Sequence, residues 1–473
     1  MSTPPDTDTA PDQRALDRFA AVVGSAHVLT GNRIGPDYHH DEALAGTPVA
    51  PRYLALPATA GETAELLAAA AAAGIPVTAR GAGTGLSGAC RPAPGGLVIS
   101  FERMAAVLEV DIDNQVAVVQ PGVTLAALDA ATAPYGLMYT VFPGELSASI
   151  GGTVGTNAGG MRAVRYGVTR HNVLGLQAAL PSGELLRTGG KLTKLSAGYD
   201  LTQLIIGSEG TLALATEITV RLYPRPAHSV TLMAAFADLA AVMAAVPATL
   251  RTGVAPTILE YLDTVTLDAI SRAQELELGI DPGVRAAARA YLVIGLDNRE
   301  RAPLDTDIDL LGQLLESSGA LNIYVLEGHS ARLLIEAREK AFWSAKAAGA
   351  DEVLDVVVPR AAMPAFFDRA TALADEVGAV LVGCGHAGDG NVHMGVFCRA
   401  EATREALLRR VFTLATDLGG AVSGEHGLGR IKTAHFTAVA DPVALTLMRG
   451  IKHAFDPAGI LNPGVILEEK VHA

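Results

Sequence analysis

Cysteine is scarce in this chain: Cys90, Cys384 and Cys398 are the only three in 473 residues. They form no CxxC pair and no even framework, which argues against a disulfide scaffold or a cysteine-ligated iron–sulfur cluster and points to a reducing cytoplasm. Basic residues are also short. The 36 Lys and Arg against 50 Asp and Glu give a formal net charge of −14, the reverse of what tracking nucleic-acid phosphates requires, so nucleic acid is not an expected partner. A long apolar run is missing as well. Ala68–Ala73 is too short for a transmembrane segment, and the polar, Pro-rich start (Met1 to about Gln13) lacks the basic and apolar parts of a signal peptide. Residues 1–15 read as a disordered tail. Charged residues reach only 18% against 49% hydrophobic, so a large buried interior is expected, divided among two or three domains at this length.

Glycine, by contrast, is abundant at 50 residues and concentrates in clusters. The first half alternates strand-like and helical stretches: a helix over Glu62–Ala73, strands at Ile75–Ala79, Leu97–Phe101 and Val116–Val119, a Thr-capped helix over Thr124–Tyr135, then strands at Val173–Leu180, Leu185–Arg187 and Glu217–Tyr223. Pro224 and Pro226 mark a boundary. Beyond it longer helical stretches predominate (Phe236–Leu250, Leu262–Leu276, Leu304–Ser317, Ala331–Ala347, Glu401–Leu418) with a strand at Ala290–Leu296. A hairpin joins Ala379–Gly385 to Val392–Phe397 through Gly388-Asp389-Gly390-Asn391. The fold class is α+β, with an antiparallel sheet expected in the second half.

The first cluster, Arg80-Gly81-Ala82-Gly83-Thr84-Gly85-Leu86-Ser87-Gly88, contains a formal GxGxxG. A Rossmann loop needs a helix to begin inside that motif and an acidic residue about 20 positions on. Ala89-Cys90-Arg91-Pro92-Ala93-Pro94 cannot be a first helical turn and the acid is missing, so a Rossmann loop is rejected. What remains is a strand feeding a loop whose amides can cradle an anion, with Thr84 and Ser87 as hydroxyl donors, or a plain surface loop. The second cluster runs from Pro143-Gly144 through Ser147, Gly151, Gly152, Thr156 and Asn157 to Gly160. So few bulky side chains suit a backbone laid against a flat, hydrogen-bonding ligand.

In the C-terminal half, His386 and His393 flank the hairpin turn, and Ser423-Gly424-Glu425-His426-Gly427 adds a carboxylate and a third imidazole. Two His and one Glu with an open position form a catalytic metal set, usually for zinc. The same residues also read simply as histidines beside glycine turns. Glu425 and His426 are adjacent, so in a regular strand they would face opposite ways; Gly424 and Gly427 permit an irregular path.

The two glycine clusters, with Tyr166–Leu176 and Ile206-Gly207-Ser208-Glu209-Gly210-Thr211-Leu212, resemble the FAD domain of the vanillyl-alcohol oxidase / p-cresol methylhydroxylase family. HxGDGNxH and Ser-Gly-Glu-His-Gly resemble the C-terminal half of FAD-linked D-2-hydroxyacid dehydrogenases: D-lactate dehydrogenases, D-2-hydroxyglutarate dehydrogenases and glycolate oxidase flavoprotein subunits. The resemblance implies a two-part FAD domain over residues 16–226, an α+β cap over 227–410 and a closing segment over 411–473. It implies FAD, held by Arg80–Ser87, the second cluster, Glu209, Gly210 and Asn462. The binding would be non-covalent, because the first loop lacks the His that some members use for attachment. It further implies His386, His393 and Glu425 as ligands of a divalent metal, His426 as general base and Arg338 as the partner of a substrate carboxylate. On residues alone, Arg338 also reads as a helix-surface Arg paired with Glu336 or Glu339. D-2-hydroxyglutarate dehydrogenases carry a Lys near the position of Val353-Leu354-Asp355. Its absence shifts the expectation to a monocarboxylate such as D-lactate. A glycolate oxidase subunit and, further off, an alkyl-glycerone-phosphate synthase are the competing readings. The electron acceptor (oxygen, quinone, cytochrome or electron-transfer flavoprotein) and a homodimeric state are left open.

Overall fold

The computed structural model describes residues 12–468; most of the expected tail, and residues 469–473, lie outside the described residues. Gln13–Ala15, assigned to that tail, instead form the first turn of the helix Gln13–Val23. Asp12 caps it, accepting from the Arg14 N–H at 2.9 Å, and Ala15, Phe19 and Val23 bury at four-residue spacing.

Residues up to Pro226 build two main sheets and a two-stranded ribbon of Leu137–Met138 with Tyr223–Pro224. In the first, Tyr53–Ala55, Leu97–Ser100 and Val77–Arg80 run parallel, with Val28–Thr30 antiparallel at the edge. The second is a five-stranded antiparallel sheet in the order Val107–Asp111, Val116–Val119, Leu214–Arg221, Val173–Ala179, Leu185–Gly189. The helix Ala60–Ala73, capped by Thr59 and ended by Gly74 at φ +63°, packs Leu66, Leu67 and Ala70 onto the first sheet. No helix follows the first glycine loop; the chain passes directly into Leu97–Ser100, as the rejection of a Rossmann loop requires.

After the proline pair the chain forms a seven-stranded antiparallel sheet in the order Asn322–Glu327, His228–Phe236, Ala290–Asn298, Ile258–Asp263, Val380–His386, Asn391–Phe397, Glu352–Val357. The expected hairpin is present, with Cys384 opposite His393. Two expected helices begin later than periodicity suggests. Phe236 ends a strand and the helix is Leu239–Arg251, capped by Asp238; Leu262 lies in Ile258–Asp263 and the helix is Thr264–Ala273, capped by Asp263. In both, an Asp that accepts the third residue's N–H marks the true start. Ala331–Ala347 is not one helix. It divides at Lys340 into Gly328–Glu339 and Ala341–Ala347.

The C-terminal segment returns to the first domain. Leu461 bridges Val77 in parallel, so the chain end extends the first sheet beside the strand that feeds the glycine loop. Buried Asp456 holds this return: its carboxylate accepts from the N–H groups of Ile460 (3.2 Å) and Leu461 (2.7 Å) and from Lys452 Nζ (2.5 Å). Asp456→Ala leaves the Ile460 and Leu461 N–H groups unpaired, while Lys452 keeps the carbonyls of Thr211 and Leu461, and should lower unfolding free energy in urea by about 2–4 kcal/mol. A loss under about 1 kcal/mol would mean that water replaces the carboxylate.

Candidate active site

Paired residues of an antiparallel ladder share a face, and residues two apart on a strand share it too. That rule brings the predicted donors together. His393 lies opposite Cys384 and Asp355, and His386 is two residues from Cys384. All therefore project from one face, while Leu354, Val356, Val392 and Met394 enter the core on the other. The loop that supplies Glu425 and His426 lies over this face.

The resulting donor group is tight. Donor atoms of His386, His393 and Glu425 lie within 4.8 Å of one another. Glu425 Oε1 stands 3.0 Å from both His386 Nε2 and His393 Nε2. Both ring nitrogens of His393 are buried without an aligned hydrogen-bond partner, as befits a ligand whose partner is a cation. Burial opposes protonation of His386, yet Glu260 and Glu425 outweigh it and push the ring up to about 10. The site thus concentrates negative charge around a position that a divalent ion would neutralise, and the residues fit a metal. His426 stacks on His393 with ring centroids 4.9 Å apart. Burial first, then the neighbouring His393 and Lys432 charges, lower it to about 4, against the pull of Asp355. It is a neutral imidazole at pH 7, the form that accepts a proton.

Arg338 faces the same cleft but is not free. Its guanidinium makes a 2.7 Å ion contact with Glu260, whose other oxygen holds His386 Nδ1 at 2.6 Å. The Arg338 side chain is buried, which rejects the pairing with Glu336 or Glu339 on a solvated helix surface. Glu260 therefore orients two predicted site residues at once, leaving His386 Nε2 toward Glu425. Arg338, His386, His393, Glu425 and His426 line a cleft of about 1000 Å³ together with Pro143 and Gly144 of the second glycine cluster.

A second cleft of about 650 Å³ lies between the two sheets of the first domain, lined by Gly81, Gly151, Gly152, Thr156, Glu209 and Gly210 among others. A Cβ on Gly155 would meet nothing within 4 Å and would project into this space, while one on Gly81 would collide with Ser149 Oγ. Glycine here both preserves a cradle and lets two loops touch, and the residues fit the FAD that the resemblance implies. Ser149, not Ser147, joins the loops: its hydroxyl accepts from the N–H groups of Ala82 (3.3 Å) and Gly152 (3.2 Å), whereas Ser147 is exposed and hydrogen-bonded to Glu145.

Several other predicted cofactor contacts use their side chains to hold the protein together. Arg80 donates to the His40 carbonyl at 2.7 Å and packs where a Gly83 side chain would be. Ser87 donates to the His426 carbonyl at 3.0 Å. Glu209 accepts from the N–H groups of Leu428 and Gly429, both at 2.8 Å, and burial raises it to about 7. Asn157 accepts from Arg170 N–H, and Asn462 donates to the carbonyls of Ala89 and Glu209. Gly160 allows its backbone against Phe142, and Thr84 and Gly85 sit half-buried in the first loop.

Sequence reading missed Glu260, Asp355 and Lys432. Each carboxylate is an interior charge of a largely apolar strand whose other acid, Asp263 or Glu352, stands at the strand's end, and that is the available signal: such a group is buried only with a partner. Asp355 is fully buried and accepts from Asn391 Nδ2 (2.9 Å), Ser423 Oγ (2.7 Å), the N–H groups of Gly424 (3.1 Å) and His426 (3.1 Å), and Lys432 Nζ (3.0 Å). Asp355→Ala should therefore unfold the Ser423–His426 loop and cost about 3–5 kcal/mol in chemical denaturation. Equal stability of the variant would show that the loop is held by something else.

The chain matches the model of the C-terminal domain of FAD-linked oxidases over residues 225–466 and that of an FAD-binding domain over residues 51–189. It is 60% identical, over 95% of its length and 98% of the relative's, to an uncharacterized FAD-linked oxidoreductase of Mycobacterium tuberculosis. It is 34% identical to D-lactate dehydrogenase of Anaerostipes hadrus over 95% of this chain and 96% of that one. Against glycolate oxidase subunit GlcD of Bacillus subtilis the identity is 35%, over 82% and 83%. The fold matches p-cresol methylhydroxylase with substrate bound at a TM-score of 0.79 and 16% identity, over 96% of this chain and 97% of that one. No helix of the described residues is long and apolar enough to cross a membrane. The chain belongs to the FAD-linked oxidase family that includes D-lactate dehydrogenases and glycolate oxidase subunits, and is an FAD-linked oxidoreductase of the p-cresol methylhydroxylase-type fold.

Proposed function

We propose that the protein oxidises a small D-2-hydroxy acid, with D-lactate as the reference substrate, to the 2-oxo acid, using non-covalent FAD and a divalent metal, best matched by zinc. The observation that carries this reading is the convergence of His386, His393 and Glu425 on one point, with neutral His426 stacked beside them and Arg338 in the same cleft. The relatives named D-lactate dehydrogenase and glycolate oxidase subunit GlcD support the substrate class and keep a glycolate-oxidising subunit as the second reading.

Oxidation removes a hydride from the α-carbon and a proton from its hydroxyl. Bound FAD supplies the two-electron acceptor for the hydride. An ion held by His386, His393 and Glu425 would supply Lewis acidity toward the hydroxyl oxygen. The chain does the rest. His426 takes the hydroxyl proton; its backbone is fixed by Asp355 and Ser87, and its ring stacks on His393. Arg338 faces the substrate carboxylate while Glu260 sets its angle. The electrons then pass to an external acceptor, and the free thiols agree with a reducing cytoplasm.

Anaerobic D-lactate should bleach the visible flavin absorption of the purified protein, and prior treatment with a chelator should abolish the bleaching. His426→Ala should keep flavin and metal but slow bleaching by about 10²–10⁴-fold; a loss smaller than tenfold would remove His426 as the base. His393→Ala should release the metal by elemental analysis, and an unchanged metal content would overturn the ligand set.

A further inference from the structure

The helix Ala341–Ala347 forms one wall of the large cleft without contributing a buried residue. Ala341, Phe342, Ser344 and Ala345 line the cleft, yet none of the seven residues is buried. Both ends are breaks in the helical path. At Lys340 the chain leaves the preceding helix Gly328–Glu339. After Ala348 comes Gly349 at φ +85°, where a Cβ would meet nothing within 4 Å, so glycine serves the backbone conformation there and not packing. Just beyond, the Asp351 N–H donates to the Val396 carbonyl and the chain rejoins the sheet.

An ion pair ties this wall to the first domain. Lys346 Nζ stands 2.7 Å from Glu42 Oε2, with the two side chains 42% and 28% exposed. Glu42 is anchored on its own side: its N–H donates at 2.9 Å to the Gly85 carbonyl of the first glycine loop, and the next residue of that loop, Leu86, lines the cleft. The Lys346 ammonium also lies 5.1 Å from the centroid of the Trp343 ring and 6.0 Å from that of Phe342. One side chain thus gathers the aromatic residues of the helix and fastens them across to the first domain. An ion pair this exposed changes an equilibrium by a factor of only about 1.5–5. Such a contact suits a catch that opens. The permanent joints of the structure are made instead by the buried carboxylates Asp355 and Asp456.

We infer that Ala341–Ala347 is a lid, hinged at Lys340 and Gly349 and latched by Lys346 and Glu42, whose release opens the large cleft to solvent and substrate. The inference rests on the 2-hydroxy-acid reading only in taking that cleft as the substrate site. Swinging the lid carries Phe342 and Ala345 away from the cleft and leaves the donors in place. His386 and His393 belong to strands of the sheet, and Glu425 and His426 to the loop that Asp355 holds.

The test uses the full chain with its FAD and two probes that the protein itself supplies. Trp343 is the only tryptophan of the chain, so quenching of tryptophan emission by acrylamide reports on the lid. Cys384 lines the cleft, so the rate of its labelling by methyl methanethiosulfonate, followed by peptide mass spectrometry, reports on entry. Raising NaCl from about 0.01 M to about 1 M screens the latch and should raise both the quenching constant and the labelling rate about 1.5–5-fold. Glu42→Ala removes the latch from the opposite domain and should give the high-salt values at low salt. Lys346→Glu should raise both readouts as well, and adding Glu42→Lys to it should bring both down again; these two variants equally lack the ammonium over Trp343. Readouts indifferent to salt and to Glu42→Ala would overturn the latch. Stronger quenching without faster Cys384 labelling would mean a helix that moves without opening the cleft, and would overturn the lid. Neither probe needs turnover. A flavin that D-lactate fails to bleach would count against the proposed reaction, while both probes would still decide the lid.

Discussion

The buried carboxylate of Asp355 is the interaction on which the site depends. It sits on an edge strand of the cap sheet, opposite His393, and gathers the backbone donors of the Ser423–His426 loop, the Asn391 amide, the Ser423 hydroxyl and Lys432. An ionised carboxylate without water is tolerable only when its lone pairs are filled, and here they are filled by donors from the hairpin, the loop and the segment after it. Although burial opposes ionisation, the Lys432 charge foremost, with the hydrogen bond from Asn391, holds Asp355 well below the ordinary carboxylate range. One charge thus orders a stretch that contains both a proposed metal ligand and the proposed base. It also resolves the difficulty of their adjacency. Gathering successive N–H groups around one acceptor turns the chain out of any strand geometry, with Gly427 at φ +80° completing the turn, so that Glu425 and His426 line the same cleft.

The same loop is clamped from the flavin side. Ser87 of the first glycine loop donates to the His426 carbonyl, and Glu209 of the Ile206–Leu212 motif accepts from Leu428 and Gly429. Asn462 then ties Ala89 to the backbone of Glu209. Motifs that look like independent ligand contacts are therefore also the joints between the nucleotide-binding half and the catalytic half. This explains why polar residues of the glycine loops spend their side chains on protein partners. The backbone, freed of side chains by glycine, is left to line the second cleft.

Much of this was legible beforehand. Glycine clusters in order, histidines across a turn and a Gly-flanked Glu-His pair are local patterns, because spacing along a strand or through a turn dictates relative position. The hairpin register followed from that, and with it the common direction of His386 and His393. Periodicity failed where an apolar strand ran into an apolar helix, at Phe236 and at Leu262. There composition does not change and only the capping Asp238 or Asp263 marks the transition.

The sequence by itself determined the hairpin of the antiparallel cap and the candidate donors, which rest on short-range geometry, while the FAD-linked architecture followed from the resemblance of its motifs. Only the tertiary structure decided which charges hold those donors in place. Glu260 is 126 residues from the His386 ring that it orients, and Lys432 is 77 from Asp355. A carboxylate in the interior of a largely apolar strand announces that it needs a partner. Which residue answers depends on how distant segments are laid across the sheet, and no local pattern records that.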